Sequence, residues 1–190
     1  MRLAEFILKN REPILSEWET FARACAPPGM DVEALRDHAN AMLTVIAADL
    51  STPQDKHAQS EKSKGRAPVD WAADNTAAER HGAERAESGF SLEQMIAEYR
   101  ALRASVIRLW TASKGDFVAS DFVDLNRFSE AIDQSLAESI AEYNQNVEQS
   151  KEMFLAILGH DMRTPLGAIH TSAKFMLETG ELKEPHRSLT

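Results

Sequence analysis

The residues of this chain best suited to chemistry lie near its C-terminal end, in the run His160-Asp-Met-Arg-Thr-Pro165. The run interrupts an apolar pattern with the three- and four-residue spacing of a helix face. A histidine side chain is largely neutral at cellular pH, so a ring nitrogen is available as a nucleophile. Asp161 can accept a hydrogen bond from one ring nitrogen, which fixes the tautomer and leaves the other nitrogen to attack. The pattern therefore predicts nucleophilic chemistry centred on His160.

Two further residues of the run have predicted positioning roles. Pro165 has no amide hydrogen for the carbonyl of Asp161, and its ring crowds that carbonyl, so we expect a helix bend beside His160. Thr164 lies one turn beyond His160 on the same side, where its hydroxyl can orient a water molecule. The alternative interpretation is a helix-buried histidine with a chance acidic neighbour.

This run resembles the H-box of dimeric two-component sensor histidine kinases. The family pattern is His, acid, any residue, Arg, Thr, Pro, Leu after a Phe-Leu pair, and residues Phe154 to Leu166 fill it. The resemblance implies that His160 accepts the γ-phosphoryl group of ATP and passes it to an aspartate on a response regulator receiver domain. It also implies that Asp161 is the general base for phosphorylation and that Thr164 positions water when the regulator is dephosphorylated.

The same resemblance implies parts that the sequence does not contain. In that family a second helix pairs with the histidine-bearing helix, and an ATP-binding domain follows. No glycine-rich nucleotide loop occurs in the 190 residues, and the segment 181–190 is polar. We therefore expect a truncated chain that is inactive without its missing ATP-binding domain. ATP and Mg would serve the full-length kinase, with no cofactor bound to this fragment.

Composition and charge exclude several classes of protein. The net charge of −9 argues against a nucleic-acid or anionic-membrane partner, because phosphate binding requires a basic surface. The single cysteine, Cys25, excludes an internal disulfide framework. No apolar run approaches the roughly 20 residues that span a bilayer. We expect a cytoplasmic protein.

The first half of the chain has the spacing of an all-α fold. Apolar stripes predict helix over residues 3–22 and again over 32–50, with Asp31 as the N-cap of the second stretch. Pro13 either kinks one helix or lies in the first turn of a second one. Residues 54–68 are polar and lack any period, which predicts a solvated connection or a lid.

Clear start and stop signals mark the next two helices. Residues 73–88 are rich in Ala, Glu and Arg, which favours a helix, and Gly89 is its expected C′ residue. Ser91 and Gln94 have the spacing of a capping box. The following helix is predicted to end at Lys114-Gly115.

The block His81-Gly-x-x-Arg85-x-x-x-Gly-Phe90-Ser-Leu-Glu-x-x-x-x-Glu-Tyr99-x-x-Leu-Arg103 carries a second resemblance. It is similar to the RsbRD-type N-terminal domain, which is related to the globin-like, haem-free sensor modules of stressosome proteins. The resemblance extends over about residues 1–145 and implies an all-helical, dimerising sensor. A buried Arg103 would need an acidic partner such as Glu98, although a surface ion pair explains the same residues equally well.

A globin-like fold raises the question of haem. His38 and His81 both lie on predicted helices, where either could be an axial ligand. The family resemblance implies no haem, and an exposed or hydrogen-bonded histidine is the commoner case. Haem binding is therefore the weaker alternative.

A long helical run is predicted from about residue 120 to 178, with Pro165 as its one break. A periodic run of that length without a cap is typical of a coiled coil. The predicted a and d positions alternate along the chain as Ile140, Tyr143, Val147, Ser150, Phe154 and Ile157. In this register His160 is at g and Asp161 at a, so the nucleophile flanks the seam of a homodimer. The four-residue steps between Phe128 and Ile140 break strict heptads as a stutter would.

These observations predict three domains. A helical sensor spans 1–120 and is completed by the start of the next helix, a signalling coiled-coil helix spans 121–150, and the first phosphoacceptor helix spans 151–190. The predicted fold is a globin-like bundle that continues through the long helix into a dimeric coiled coil. The favoured function is the sensory and phosphoacceptor portion of a soluble sensor histidine kinase. The alternatives are a non-enzymatic dimeric stress-signalling scaffold and a haem- or ligand-binding globin-like sensor.

Overall fold

The computed structural model describes residues 1–25, 32–53 and 76–179. Within these ranges all regular structure is helical, which confirms the all-α prediction. The described helices are α1 (Leu3–Lys9), α2 (Arg11–Cys25), α3 (Val32–Ser51), α4 (Ala77–Glu87), α5 (Leu92–Ala112) and α6 (Ala119–Thr179). The predicted cap at Asp31 and the polar segment 54–68 lie outside the described residues.

The N-terminal stripe forms two helices in series rather than one kinked helix. Asn10 separates them, and its backbone N–H and side-chain amide both donate to the carbonyl of Phe6 at 2.9 Å. Pro13 is the third residue of α2, where its missing N–H would have no helical partner in any case. Of the two predicted alternatives, the second is correct.

Capping boxes start both of the middle helices. The predicted Ser91–Gln94 box is confirmed, with each side chain hydrogen-bonded to the other residue's backbone N–H at 3.2 and 2.8 Å. Thr76 and Glu79 form a second box at the start of α4. Gly89 has a φ of +75°, as the predicted C′ position requires.

The chain divides into two compact units, Met1–Asn146 and Val147–Thr190. The three predicted domain boundaries stay predictions. In the first unit, α1, α2, α3 and α5 surround an apolar core to which the first part of α6 also contributes. Its largest fully buried side chains include Trp18, Tyr99, Trp110 and Phe128.

Charged side chains fix α6 to other helices of the first unit. The Arg2 guanidinium donates to both carboxylate oxygens of Asp124, and the backbone N–H of Leu3 donates to the same carboxylate at 3.0 Å. The guanidinium of Arg127 donates to the carbonyls of Asp49, Leu50 and Thr52 at 2.6, 3.0 and 2.8 Å. These carbonyls lie in the last turn of α3 and directly after it, where the regular i+4 donors run out, so Arg127 caps the helix from outside.

Helix α6 contains Pro165 without ending there. The predicted bend at Pro165 stays a prediction. None of the described helices has a stretch long and apolar enough to cross a membrane.

Candidate phosphoacceptor site and a buried polar cluster

His160 lies on the surface of α6 in the second unit, with its neighbour placed as the sequence predicts. The His160 side chain is 81% exposed, and its Nδ1 lies 3.3 Å from Oδ1 of Asp161. With Nδ1 facing a carboxylate, the favoured tautomer carries the proton there and leaves Nε2 as the free, nucleophilic nitrogen. Thr164 and Pro165 are also exposed on the same helix. The alternative of a buried histidine is wrong for His160.

The surroundings of His160 are unusually apolar for a solvent-facing helix. Eleven apolar side chains between residues 153 and 177 are each between 40% and 65% exposed in the single chain. They are Met153, Phe154, Leu155, Ile157, Leu158, Met162, Leu166, Ile169, Phe175, Met176 and Leu177. Exposed apolar side chains in this number are typical of a surface that associates with a partner.

The first unit contains a buried polar cluster whose role sequence reasoning missed. His81 and Arg85 extend from α4 toward Glu98 on α5, and all three are at most 2% exposed. The Arg85 Nε donates to Oε2 of Glu98 at 2.8 Å, and His81 Nε2 lies 3.2 Å from the same oxygen without hydrogen-bond alignment. The Arg85 guanidinium also stacks over the Phe90 ring, 4.6 Å from its centroid. A buried charge pair of this geometry satisfies much, though not all, of its hydrogen-bonding capacity.

A tyrosine and a serine connect the cluster to α6. The Tyr99 hydroxyl and the Ser139 hydroxyl lie 2.7 Å apart, and Ser139 donates in turn to the carbonyl of Ala78 on α4. The Tyr99 ring packs edge-on against His81 with 5.5 Å between centroids. The cluster therefore joins α4, α5 and α6.

Burial shapes the protonation of these groups. Burial lowers the pKa of His81, and the nearby Arg85 charge acts in the same direction. Burial alone would raise the pKa of Glu98, but His81 and the hydrogen bond from Arg85 outweigh it and hold the pKa below its usual value. Burial raises the pKa of Tyr99. At neutral pH the cluster therefore consists of a neutral imidazole, a guanidinium and a carboxylate.

The two histidines weighed as haem ligands both face carboxylates. His38 Nε2 lies 2.6 Å from Oε2 of Glu84, and His81 Nε2 faces Glu98. The two rings lie 6.1 Å apart and are tilted by 54°. Since Nε2 is a usual iron-binding atom of histidine, these contacts give the haem alternative no support.

Arg103 is half-buried and forms an ion pair at the surface, as the second of the two interpretations expected. Its guanidinium pairs with Asp133 at 2.7 Å and is 33% exposed. Glu98, the partner considered in the buried alternative, pairs with Arg85 instead.

The segment that contains the buried cluster matches a known protein family. The sequence profile of the RsbT co-antagonist protein rsbRD N-terminal domain matches residues 26–153. The chain belongs to this family. The matched part of this RsbRD N-terminal domain contains every residue of the buried cluster, whereas His160 lies beyond it.

One curated relative of the RsbRD-type chain is the sensor protein kinase PilS of Pseudomonas aeruginosa. The two sequences are 36% identical over 83 residues, which is 40% of this chain and 15% of the relative. The chain thus spans only a small part of that protein's length. No solved structure matches the chain. The family and the relative together favour a sensory signalling role.

Proposed function

We propose that this chain is the sensory and phosphoacceptor portion of a cytoplasmic two-component sensor histidine kinase, phosphorylated on His160. The observation that carries the proposal is an exposed imidazole whose Nδ1 faces a carboxylate at 3.3 Å. Membership of the RsbRD N-terminal family and the partial similarity to a sensor protein kinase support the sensory assignment.

The proposed reaction is an in-line phosphoryl transfer. Nε2 of neutral His160 attacks the γ-phosphorus of Mg-bound ATP, so an N–P bond forms while the bond to the bridging oxygen breaks and its electron pair leaves with ADP. Asp161 accepts the Nδ1 proton as positive charge develops on the ring. The phosphoryl group then passes to an aspartate oxygen of a receiver domain, which regenerates neutral His160.

Three partners complete the proposal. An ATP-binding domain supplies the nucleotide, a response regulator receiver domain takes the phosphoryl group, and a second copy of the chain covers the apolar face around His160. Thr164 follows His160 by one turn and orients the water that hydrolyses the phosphorylated regulator. A homodimer buries residues such as Phe154 and Ile157 while His160 at the flanking position stays accessible.

Labelled phosphate transfer tests the assignment. The chain is mixed with the ATP-binding domain that the proposal requires, γ-labelled ATP and Mg, and the label is tested for the acid lability and base stability of phosphohistidine. His160→Gln should abolish labelling. His170→Gln, an exposed histidine on the same helix that is followed by threonine instead of an acid, should leave it unchanged. Asp161→Asn should slow labelling by about 10²-fold, within the range for loss of a general base.

Label retained in His160→Gln would overturn the phosphoacceptor role. Thr164→Ala gives an independent check, because it should leave labelling intact and slow only the dephosphorylation of a receiver domain. Equal labelling of both histidines would show that the Asp161 contact confers no selectivity.

The second candidate is a non-enzymatic dimeric signalling scaffold. It is favoured by the extent of the family match, which stops at residue 153, before His160. A dimer that takes no label on any histidine under these conditions would support the scaffold over the kinase.

A further inference from the structure

A cavity in the first unit has the lining of a small-molecule site. It has a volume of about 230 Å³ and lies between α3, the start of α4 and α6. Its apolar wall includes Met42, Ile46, Ala77, Ala78 and Ala131, each at most 8% exposed. An engineered apolar cavity of about 150 Å³ holds a benzene molecule, so the volume fits one ring with a short substituent.

The polar edge of the cavity carries one carboxylate, Glu138, whose hydrogen-bond donors among the described residues are neutral. Thr76, Gln134, Ser135 and Glu138 line this edge, and Asp49 lies opposite on α3. Glu138 Oε2 accepts from the Thr76 hydroxyl at 3.1 Å, and its Oε1 accepts from the Gln134 amide at 2.7 Å. Both of these donors are neutral. Among the described residues, no lysine, arginine or histidine lines the cavity or pairs with Glu138.

A second acceptor at the same edge is left unsatisfied. The Oε1 atom of Gln134 is buried and receives no hydrogen bond from the described residues. A buried acceptor without a donor is destabilising, and a ligand N–H placed there would remove that cost. The Thr76 hydroxyl is already committed, since it donates to Glu138 and accepts from the backbone N–H of Glu79 at 3.1 Å. The polar edge of the cavity is therefore complementary to a ligand head group with several hydrogen-bond donors.

We propose that this cavity binds a small cationic amphiphile, with an ammonium group at Glu138 and Gln134 and an apolar ring against Ala131 and Ile46. A carboxylate with only neutral donors gains a charge-assisted hydrogen bond from an ammonium group. An anionic ligand would meet the Glu138 carboxylate, and a neutral hydrocarbon would leave the Gln134 oxygen unsatisfied. Charge and shape together select the cation.

The position of the cavity gives binding a consequence for signalling, and this consequence alone rests on the proposed function. One wall is α6, the helix that carries His160 further along the chain. A ligand between α3 and α6 would favour one packing of α6 over another in proportion to its difference in affinity for the two. Binding itself can be measured without any phosphorylation assay.

Three matched probes test the class of ligand. The full chain is titrated at pH 7.5 with benzylamine, which is then an ammonium, with toluene and with benzoate, and binding is followed by NMR shifts and thermal stabilisation. We expect benzylamine to bind with a Kd of about 1 mM or below and to bind at least about tenfold more tightly than either analogue. The proposal would be overturned if toluene or benzoate bound as tightly as benzylamine. It would also be overturned if none of the three compounds bound.

Two variants locate the site. Glu138→Gln keeps the hydrogen-bonding shape and removes the charge, so it should weaken benzylamine by about tenfold or more and leave toluene unchanged. Ala131→Leu fills the apolar end and should abolish binding of benzylamine, whereas Ala104→Leu, on the exposed face of α5, should not. Undiminished benzylamine binding in Glu138→Gln would contradict the proposed placement of the ammonium group. This variant tests the placement even if Ala131→Leu fails to fold.

Discussion

His81 is buried although the sequence around it is polar and resembles a surface helix. It is fully buried, and neither ring nitrogen forms an aligned hydrogen bond with a described residue. Protonation would place a second positive charge beside Arg85, and among the described residues Glu98 is the one carboxylate that pairs with both. Buried charge without a full set of partners is costly, so the folded chain holds His81 neutral.

This burial predicts that the first unit loses stability in mild acid. An unfolded histidine has a pKa of about 6.5, whereas the pKa of folded His81 is lower. Below about pH 6.5 the unfolded chain therefore binds a proton that the folded chain does not, and the free energy of unfolding falls as pH decreases. His81→Gln should flatten this loss between pH 7.5 and 5.5 when Tm is measured at both values.

The surface residue His170 provides the control. His170→Gln should retain the full loss of Tm in acid, because His170 is exposed and takes no part in the buried cluster. A His81→Gln profile that runs parallel to the unmodified chain would contradict the argument. Protonation of Glu98 adds to the loss of stability only at lower pH, since its pKa lies below the usual carboxylate range.

At the residue scale the sequence predicted one site and missed the other. His160, Asp161 and Thr164 could be proposed because their spacing follows a local rule, one turn of a helix, and their roles stay predictions. His81, Arg85, Glu98 and Tyr99 all stood in a block noted for its family resemblance, but that block also looks like ordinary helix composition. Their meeting depends on how two helices face each other, which spacing along one chain does not determine. The pairing of Arg85 rather than Arg103 with Glu98 follows from that packing.

At the scale of elements, the contact between α4 and α6 is the closest approach seen at any described glycine. A Cβ added at Gly82 would clash with the carbonyl oxygen of Ser139 and would lie 2.9 Å from the Ser139 Cα, and both of these are backbone atoms. The two helices can approach this closely only because residue 82 has no side chain. The contact also brings the Ser139 hydroxyl within reach of the Ala78 carbonyl at 2.5 Å.

Gly82→Ala should therefore destabilise the first unit by about 1–3 kcal/mol or more, as overpacking does in other proteins. Alanine normally stabilises a helix interior relative to glycine by about 1 kcal/mol, so the predicted sign is opposite to that of helix propensity. Urea unfolding of the two chains measures the difference. Gly115→Ala is the matched control, because a Cβ there meets nothing within 4 Å and should change the free energy of unfolding little.

The helix boundaries could largely be predicted from the sequence, whereas the packing of the helices against one another could not. The Ser91 capping box and Gly89 followed from local chemistry alone. The four-residue steps after Phe128 were interpreted as a coiled-coil stutter, but Phe128 and Ile132 are fully buried in the core of the first unit. Their spacing therefore fits a face packed on a bundle, which a heptad count cannot distinguish from an irregular coiled coil.

At the scale of the whole molecule, the apolar surface of the second unit predicts self-association. Phe154→Asp combined with Ile157→Asp places two charges in the predicted seam and should convert a dimer to a monomer in sedimentation equilibrium. Gln145→Glu combined with Gln149→Glu adds the same charge at exposed positions outside the a and d sites and should leave the dimer intact. A monomeric unmodified chain at high micromolar concentration would contradict the dimer.

The length of α6 predicts sensitivity to helical phase. One residue inserted between Asn144 and Ser150 rotates everything beyond it by about 100°, whereas seven residues restore nearly the original phase. If α6 carries the signal to His160, the single insertion should change the rate of histidine labelling and leave the Tm of the first unit unchanged. The seven-residue insertion should label close to the normal rate. Equal rates in all three chains would argue against a signal carried by the helix.

The burial of Trp18 and Trp110 supplies an internal optical probe. Both indoles are wholly buried in the first unit, and the Nε1 of Trp18 donates to the Glu98 carbonyl at 3.1 Å. Residues 147–190 contain neither tryptophan nor tyrosine. Intrinsic fluorescence therefore reports on residues outside that segment, and a change in emission on addition of benzylamine would arise there without any attached dye.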